Sequence, residues 1–171
     1  MKFAYADPPY LGCSKRLYGD HPEAWVYDTI EGHQALIDKI QQYDGYAYSC
    51  TSGNLHLILP LFERDARIGA WVKPFCAMKG VSPAYAWEPV IFRTPRKKWE
   101  AGLRRDWVSA SITMKRTCKG AKPLAFCFWL FDEILGMTRE DGFDDLFPGS
   151  GAVKKAYTAW CNRAPRLMKA V

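Results

Sequence analysis

Residues 2–6, KFAYA, run straight into Asp7-Pro8-Pro9-Tyr10. Adjacent prolines fix two φ angles at about −65° and remove two N–H donors, so no helix and no central strand continues through them. The apolar run is therefore a short strand that ends at Asp7, and Pro8 biases Asp7 itself toward extended backbone. Both prolines keep their carbonyls as acceptors in fixed directions. An amino group with two N–H donors fits between the Asp7 carboxylate and the Pro8 carbonyl. Tyr10 stands where it can stack on a flat ring carrying that amine. Two acceptors and an aromatic plate describe a pocket for an exocyclic amine on a planar base.

The rest of the chain alternates strand-like and helix-like stretches. Residues 11–25 are rich in turn formers and read as a loop placed to close over the Asp7 pocket, with Lys15, Arg16, Tyr18 and His21 on it. Residues 29–43 have apolar positions at helical spacing. GYAYSCT follows the Asp44-Gly45 turn as a strand. Residues 52–66 read as a helix with Ser52 as N-cap and Pro60 as a kink or break. IGAWVKPF and AWEPVIFRT read as two further strands. Residues 94–121 show no clean period and read as an extended surface segment. PLAFCFWLFDEIL is a strongly apolar helix opened by Pro123. GFDDLF reads as a buried strand, GSG as a turn, and AVKKAYTAWCNR as a last helix. Such alternation predicts an α/β sheet with helices on both faces. Ligands of such sheets gather at the carboxyl ends of the strands.

A second stretch lies at such an end. Asp145-Leu146-Phe147-Pro148-Gly149-Ser150-Gly151 closes a strand and opens a helix. Glycines allow a tight turn and close approach of backbone to a ligand. The helix N-terminus offers free N–H groups. Asp145 suits a cationic group, so a ligand carrying both an amine and a carboxylate matches this edge.

Charge is unevenly placed. Residues 93–122 hold ten Lys or Arg against Glu100 and Asp106, a net +8 in a chain whose total is +6. The remainder therefore carries −2. A basic block in a balanced chain points to a polyanionic partner, with Arg93, Arg96, Lys97, Lys98, Arg104 and Arg105 as phosphate contacts. The six cysteines show no CxxC spacing and do not group with the three histidines, which excludes a zinc or disulfide framework and favours buried free thiols. No apolar run has the length of a membrane span, and residues 1–10 do not read as a secretory leader, so a cytoplasmic location with no membrane partner is expected.

Taken together, DPPY and DLFPGSG make the chain resemble the S-adenosylmethionine-dependent amino-methyltransferases. These carry an Asp/Asn/Ser-Pro-Pro-aromatic motif for the target amine and an aromatic-x-Gly-x-Gly turn for the cofactor. DPPY precedes the glycine turn, an order similar to the permuted beta-class DNA adenine N6-methyltransferases, and KGAKP (Lys119 to Pro123) resembles their Lys-Pro motif. The likeness runs from DPPY to the helix after GSG. It implies a Rossmann-like methyltransferase sheet with circularly permuted motif order and S-adenosylmethionine as cofactor. Asp7, Pro8, Pro9 and Tyr10 would hold the target amine. Asp145, Phe147, Pro148, Gly149, Ser150 and Gly151 would contact the cofactor, bordered by Lys122, Pro123 and Phe126. Trp87, Glu88 and Pro89 match a landmark strand, with Glu88 read as structural. The substrate implied is adenine N6 in DNA, with cytosine N4, RNA, or an inactive nucleic-acid-binding relative as alternatives.

Two departures from that pattern bear on the architecture. The family's acid for the ribose hydroxyls has no counterpart in RLMKAV, so the outer strands of the cofactor half are expected to be truncated or supplied by a homo-oligomer or partner chain. About thirty residues separate the two halves, too few for a separate target-recognition domain, so residues 1–171 are expected to form a single catalytic domain.

Overall fold

The computed structural model describes residues 1–19, 22–75, 81–96, 103–112 and 121–163. Its elements run β1 (Lys2–Ala6), α1 (Ser14–Tyr18), α2 (Pro22–Trp25), α3 (Ile30–Ile40), β2 (Gly45–Ser49), α4 (Leu55–Ile58), β3 (Arg67–Val72), β4 (Trp87–Arg93), β5 (Trp107–Ser109), α5 (Leu124–Trp129), β6 (Gly142–Asp145) and α6 (Ala152–Asn162). Six strands form one sheet in the order β5-β3-β4-β2-β1-β6. β1 pairs in parallel with both β2 and β6, β4 lies antiparallel between β2 and β3, and β5 runs parallel to β3. Among the described residues no strand lies beyond β6.

The two-residue period of the strands divides the core between the two faces. Phe3, Tyr5, Ala47, Trp71, Val90 and Phe92 point to the face covered by α5 and α6, where they meet Phe126, Leu130, Phe131 and Trp160. Ala4, Ala6, Tyr46, Tyr48 and Ile91 point to the other face, where they meet Leu36, Ile37 and Ile40 of α3 and Ile58 of α4. β2 is buried along its whole length. Thr29 caps α3, its hydroxyl accepting from the Gly32 N–H at 3.1 Å, as the apolar spacing of residues 29–43 requires at that boundary.

Three segments differ from their sequence reading. Residues 11–25 are not a plain loop: they include α1 and α2, and the Asp28 carboxylate accepts from the N–H groups of Ser14 (3.0 Å) and Lys15 (3.4 Å) at the start of α1. That cap comes from a residue far along the chain, which local composition does not reveal. Residues 52–66 split into a 3-10 turn (Ser52–Asn54), α4 and a second 3-10 turn (Leu59–Leu61), because Pro60 has no N–H for a continuing helix. Thr51, rather than Ser52, is the cap there. Within residues 94–121 the described part contributes β5 to the sheet, where Trp71 Nε1 donates to the Ala110 carbonyl at 2.8 Å. After α5 the chain continues as a π-helical turn, Leu130–Ile134, before turning toward β6.

The start of β6 is fastened to the start of β1 by a buried acid. Asp141 accepts from Arg96 at 2.5 and 2.9 Å, from the Thr138 N–H at 2.6 Å and from the Thr138 hydroxyl at 3.0 Å, and the Met1 ammonium lies 3.1 Å away. Burial alone would raise the Asp141 carboxyl. The Arg96 guanidinium, the Thr138 donors and the Met1 ammonium outweigh it and hold the group well below the ordinary 3.8. Replacing Asp141 by Ala strands Arg96 and should cost about 3 kcal/mol of stability, read from urea denaturation midpoints. Because the folded-state pKa is depressed, this contribution is complete above the unfolded value of 3.8. The gap between wild type and Asp141→Ala should therefore hold from about pH 5 to 8 and shrink as pH falls below about 4.

Candidate active site

β1 and β6 lie side by side with Tyr5 opposite Asp145, so the chain leaves both strands at the same edge of the sheet. From β1 it passes to α3 on one face, and from β6 to α6 on the other. The two connections diverge and leave a crevice between them, as happens wherever strand order reverses in an α/β sheet. Asp7-Pro8-Pro9-Tyr10 forms one lip and residues 145–151 the other.

On the first lip Pro8 and Pro9 are buried and the Asp7 side chain is 24% exposed. The loop is tied down by Asn54 Nδ2, which donates to the Leu11 carbonyl at 2.7 Å, and by the Cys13 N–H, which donates to the Tyr10 carbonyl at 2.8 Å. The Lys122 ammonium, 5% exposed, sits 2.8 Å from both Asp7 oxygens and 3.8 Å from Glu88 Oε2. Glu88 is closely ion-paired with Lys73. The Tyr10 hydroxyl donates to Glu88 Oε2 at 3.0 Å and lies 3.4 Å from Asp7 Oδ1. Below this cluster the Tyr5 hydroxyl and Ser49 Oγ share a hydrogen bond of 2.7 Å. The rings of Trp71 and Phe126 flank the Lys122 ammonium at 5.3 and 5.8 Å.

These groups set each other's charge. Burial pushes Lys122 down, but Asp7 and Glu88 outweigh it and hold the ammonium above its ordinary pKa. Burial pushes Glu88 up, but Lys122 and Lys73 outweigh it and hold the carboxyl below the usual range. Burial dominates at Asp7 and raises its carboxyl, with Lys122 opposing. Burial and the nearby Glu88 carboxylate keep the Tyr10 phenol far from ionising. The cluster is thus two carboxylates against two ammoniums, with acceptor oxygens at its exposed side.

On the second lip Asp145 is half-buried. Its Oδ1 accepts from the Phe147 N–H at 3.3 Å, while Oδ2 is buried with no hydrogen-bond partner among the described residues. Burial raises the Asp145 carboxyl, and the nearness of Asp7 adds to the rise. A buried carboxylate oxygen without a partner is costly and points to a donor beyond the described residues. Phe147 packs edge-on against Tyr27 at 5.3 Å. Gly149 and Gly151 have φ of 41° and 70°, left-handed values that explain why glycine stands at each. Pro148, Gly149 and Ser150 are exposed, the Gly151 N–H donates to the Pro148 carbonyl at 2.6 Å, and Ser150 Oγ accepts from the Ala152 N–H at 3.3 Å.

The structure therefore joins the two motifs, and it gives three residues different surroundings from those expected. Lys122, expected beside a cofactor, turns its ammonium to Asp7. Tyr10 directs its hydroxyl to Glu88. Glu88, read as structural, is central to the cluster together with Lys73, which sequence reading passed over. Both carried a signal. Glu88 shares a strand face with buried Val90 and Phe92, and Lys73 stands two residues beyond buried Trp71; a charge in such register needs a partner. Pro123 precedes α5 and accepts from the Cys127 N–H at 3.1 Å, and Phe126 is buried against Tyr5 and Trp71. Tyr18 on α1 stands close enough for Asp7 to raise its phenol further after burial has done so.

The basic residues behave unequally. Arg93 pairs with Glu63 at 3.4 Å and Asp65 at 3.9 Å, and Arg96 with Asp141, so both spend their charge within the chain. Arg104 donates to the Arg96 carbonyl at 2.5 Å. Arg105 is exposed, its guanidinium 5.8 Å from the centre of the half-exposed Trp107 ring. Lys97, Lys98, Trp99 and His21 lie outside the described residues. Among the described residues Cys50 and Cys127 are buried thiols, no His/Cys/Asp/Glu group is arranged to hold a metal, and no helix is long and apolar enough to cross a membrane. A groove of about 500 Å³ between β5 and α5, lined by Arg105, Trp107, Phe128 and Arg163, shares no residue with the two lips.

No protein-family model and no curated protein matches the chain. Solved structures do. The crystal structure of the M1.HpyAVI–SAM complex superposes with a TM-score of 0.54 at 15% identity, covering 92% of this chain and 77% of that one. That of M1.HpyAVI gives 0.54 at 15%, covering 94% and 76%. The chain shares the Rossmann-like α/β fold of these two structures.

A Cβ at Gly151 would meet nothing within 4 Å, so the cost of Gly151→Ala is the backbone alone. A left-handed conformation costs an L-residue about 1–2 kcal/mol. The variant should lose that much stability in urea denaturation, whereas Ser150→Ala should lose well under half as much.

Proposed function

We propose that this chain is an S-adenosylmethionine-dependent amino-methyltransferase acting on the exocyclic amine of a base in DNA, adenine N6 in the first place. The observation that carries the reading is the β1–β6 register, which sets Asp7-Pro8-Pro9-Tyr10 and the partnerless Asp145 Oδ2 on facing lips of one crevice. The resemblance of the two motifs and the M1.HpyAVI–SAM likeness in fold support it.

The residues fit the cofactor. Asp145 Oδ2 is a buried acceptor with no partner among the described residues, suited to the ammonium of a methionine moiety. The left-handed turn at Gly149 and Gly151 opens the eleven-residue α6, whose first N–H groups suit a carboxylate. When bound, S-adenosylmethionine supplies an activated methyl group on a sulfonium.

The chain supplies position and acceptors. A base amine is a poor nucleophile because its lone pair is delocalised into the ring. Asp7 and the Pro8 carbonyl accept its two N–H groups and favour a more tetrahedral nitrogen with its lone pair restored. Holding that nitrogen in line with the donor supplies most of the acceleration. The Asp7 carboxylate faces the nitrogen and can take the proton shed after transfer. The Tyr10 ring borders the base. A base inside a duplex cannot reach this crevice, so the target is flipped out or already single-stranded. Exposed Arg105, with Lys97 and Lys98, is the candidate phosphate contact, and its binding should weaken with salt.

Incubation of DNA with protein and labelled cofactor, followed by mass spectrometry of nucleosides, tests the reading. Labelled N6-methyldeoxyadenosine is expected, and Asp7→Ala should reduce it about a hundredfold or more. Label on cytosine N4, or on RNA only, would move the target within the same chemistry; no label on any base overturns the reading. In calorimetry Asp145→Ala should weaken cofactor binding by about 1.5–3 kcal/mol, the worth of a hydrogen bond to a charged group.

A further inference from the structure

The acceptor face of Asp7 is already engaged. Both of its oxygens lie 2.8 Å from the Lys122 ammonium, at the place where the proposed function needs them for a base amine. A neutral amine donates a weaker hydrogen bond than an ammonium does. An Asp7 whose charge is neutralised by Lys122 also returns less electron density to the target nitrogen. The ammonium must therefore leave before the amine is held well. A second carboxylate stands ready to take it: Glu88 Oε2 is 3.8 Å from the same nitrogen, and a move of about 1 Å brings the two within hydrogen-bond distance. The rings of Trp71 and Phe126 flank the ammonium where it now rests, 5.3 and 5.8 Å away, and attract it without holding it to one carboxylate.

We propose that Lys122 is an exchangeable positioning residue of the amine grip: its ammonium holds Asp7 until a target amine enters, then passes to Glu88. The inference rests on the reading of the site as an amino-methyltransferase and goes beyond it. The exchange leaves the net charge of the cluster unchanged, since the ammonium passes from Asp7 to Glu88 without leaving it. The ammonium itself is never left without a carboxylate, which would cost several kcal/mol. Glu88 can accept from Lys73, Tyr10 and Lys122 together because a carboxylate offers about four lone-pair directions. The exchange also gives the site selectivity. A base without an exocyclic amine, such as thymine, has nothing to offer Asp7 in place of the ammonium and leaves the grip closed.

The test is a rescue. Glu88→Gln removes the receiving charge and leaves Lys122 on Asp7. KM for a dA-containing oligonucleotide should rise about tenfold or more, the scale of one charge-assisted hydrogen bond, with the calorimetric Kd for the cofactor unchanged. In the double variant Lys122→Met/Glu88→Gln both the ammonium and its acceptor are gone, one positive and one negative charge together. KM should return to within about threefold of wild type, a non-additivity that marks direct coupling. Losses that add in the double variant, or an unchanged KM in Glu88→Gln, overturn the proposal. The 15Nζ resonance of Lys122, assigned by its loss in Lys122→Met, gives a readout independent of turnover. It should shift on adding the dA-containing oligonucleotide and stay in place with an all-thymine control; a resonance unmoved by both overturns the exchange. Wild-type methyl transfer with an unmoved resonance rejects the exchange alone, whereas absence of methyl transfer to any base rejects the underlying reading.

Discussion

The parallel pairing of β1 with β6 is the constraint on which the candidate site depends. It joins the first strand of the chain to the last described one, and its register, Tyr5 opposite Asp145, decides that the residues following each strand leave the sheet at one edge. On the β1 side the pairing is buried from Phe3 to Ala6, whereas β6, expected to be buried, is only half-covered at the sheet edge; both ends are locked. Asp141 holds Arg96, Thr138 and the Met1 ammonium where the two strands begin, and the Leu146 N–H donates to the Tyr5 carbonyl at 2.9 Å where they end. A slip of one residue would turn Phe3 and Tyr5 away from the α5–α6 face and carry Asp145 off the crevice. The crevice then follows from connectivity, because α3 and α6 cover opposite faces and their leading loops must part.

Inside that crevice the chain buries four charges together. Each ion of the Asp7, Glu88, Lys73 and Lys122 cluster alone would cost more than packing returns, so each exists because the others do. The cluster shares its walls with the core: Trp71 and Phe126, which flank the Lys122 ammonium, belong to the same packed face as Val90 and Trp129. The site is therefore built on the rigid part of the sheet, with the Pro8-Pro9 segment held between the Asn54 side chain and the start of α1. Rigid placement of acceptors is what an amine grip requires, since a nucleophile positioned by a loose loop loses most of the benefit of proximity.

Legibility in the sequence followed the range of the interactions. Strands β1, β2, β4 and β6 and helices α3 and α6 were readable because apolar period, turn residues and caps are local signals. Pro60 announced the break within residues 52–66. The cap of α1 by Asp28 and the incorporation of Trp107–Ser109 as β5 were not readable, because each depends on a partner far along the chain. The same holds in the site. Asp7, Pro8, Pro9 and the glycines of the second lip announce themselves by chemistry and backbone demand. Lys122 next to Pro123 matched a motif, but nothing in KGAKP says that its ammonium meets Asp7 rather than a cofactor. Glu88 in WEPVIF shows only that a charge shares a face with apolar neighbours, and its partner Lys73 comes from another strand.

By itself the amino-acid sequence determined the strand that must stop at Asp7, the tight turn that Gly149 and Gly151 allow, and the two-faced apolar pattern that makes an α/β sheet. These are consequences of torsion angles and side-chain period, which act over a few residues. Only the tertiary structure decided that β1 and β6 are neighbours, that Asp145 keeps a buried oxygen without a partner among the described residues, and that Lys122 rests between two carboxylates. Those outcomes come from burial, which makes a charge or a polar atom costly until some distant residue, or a ligand, answers it.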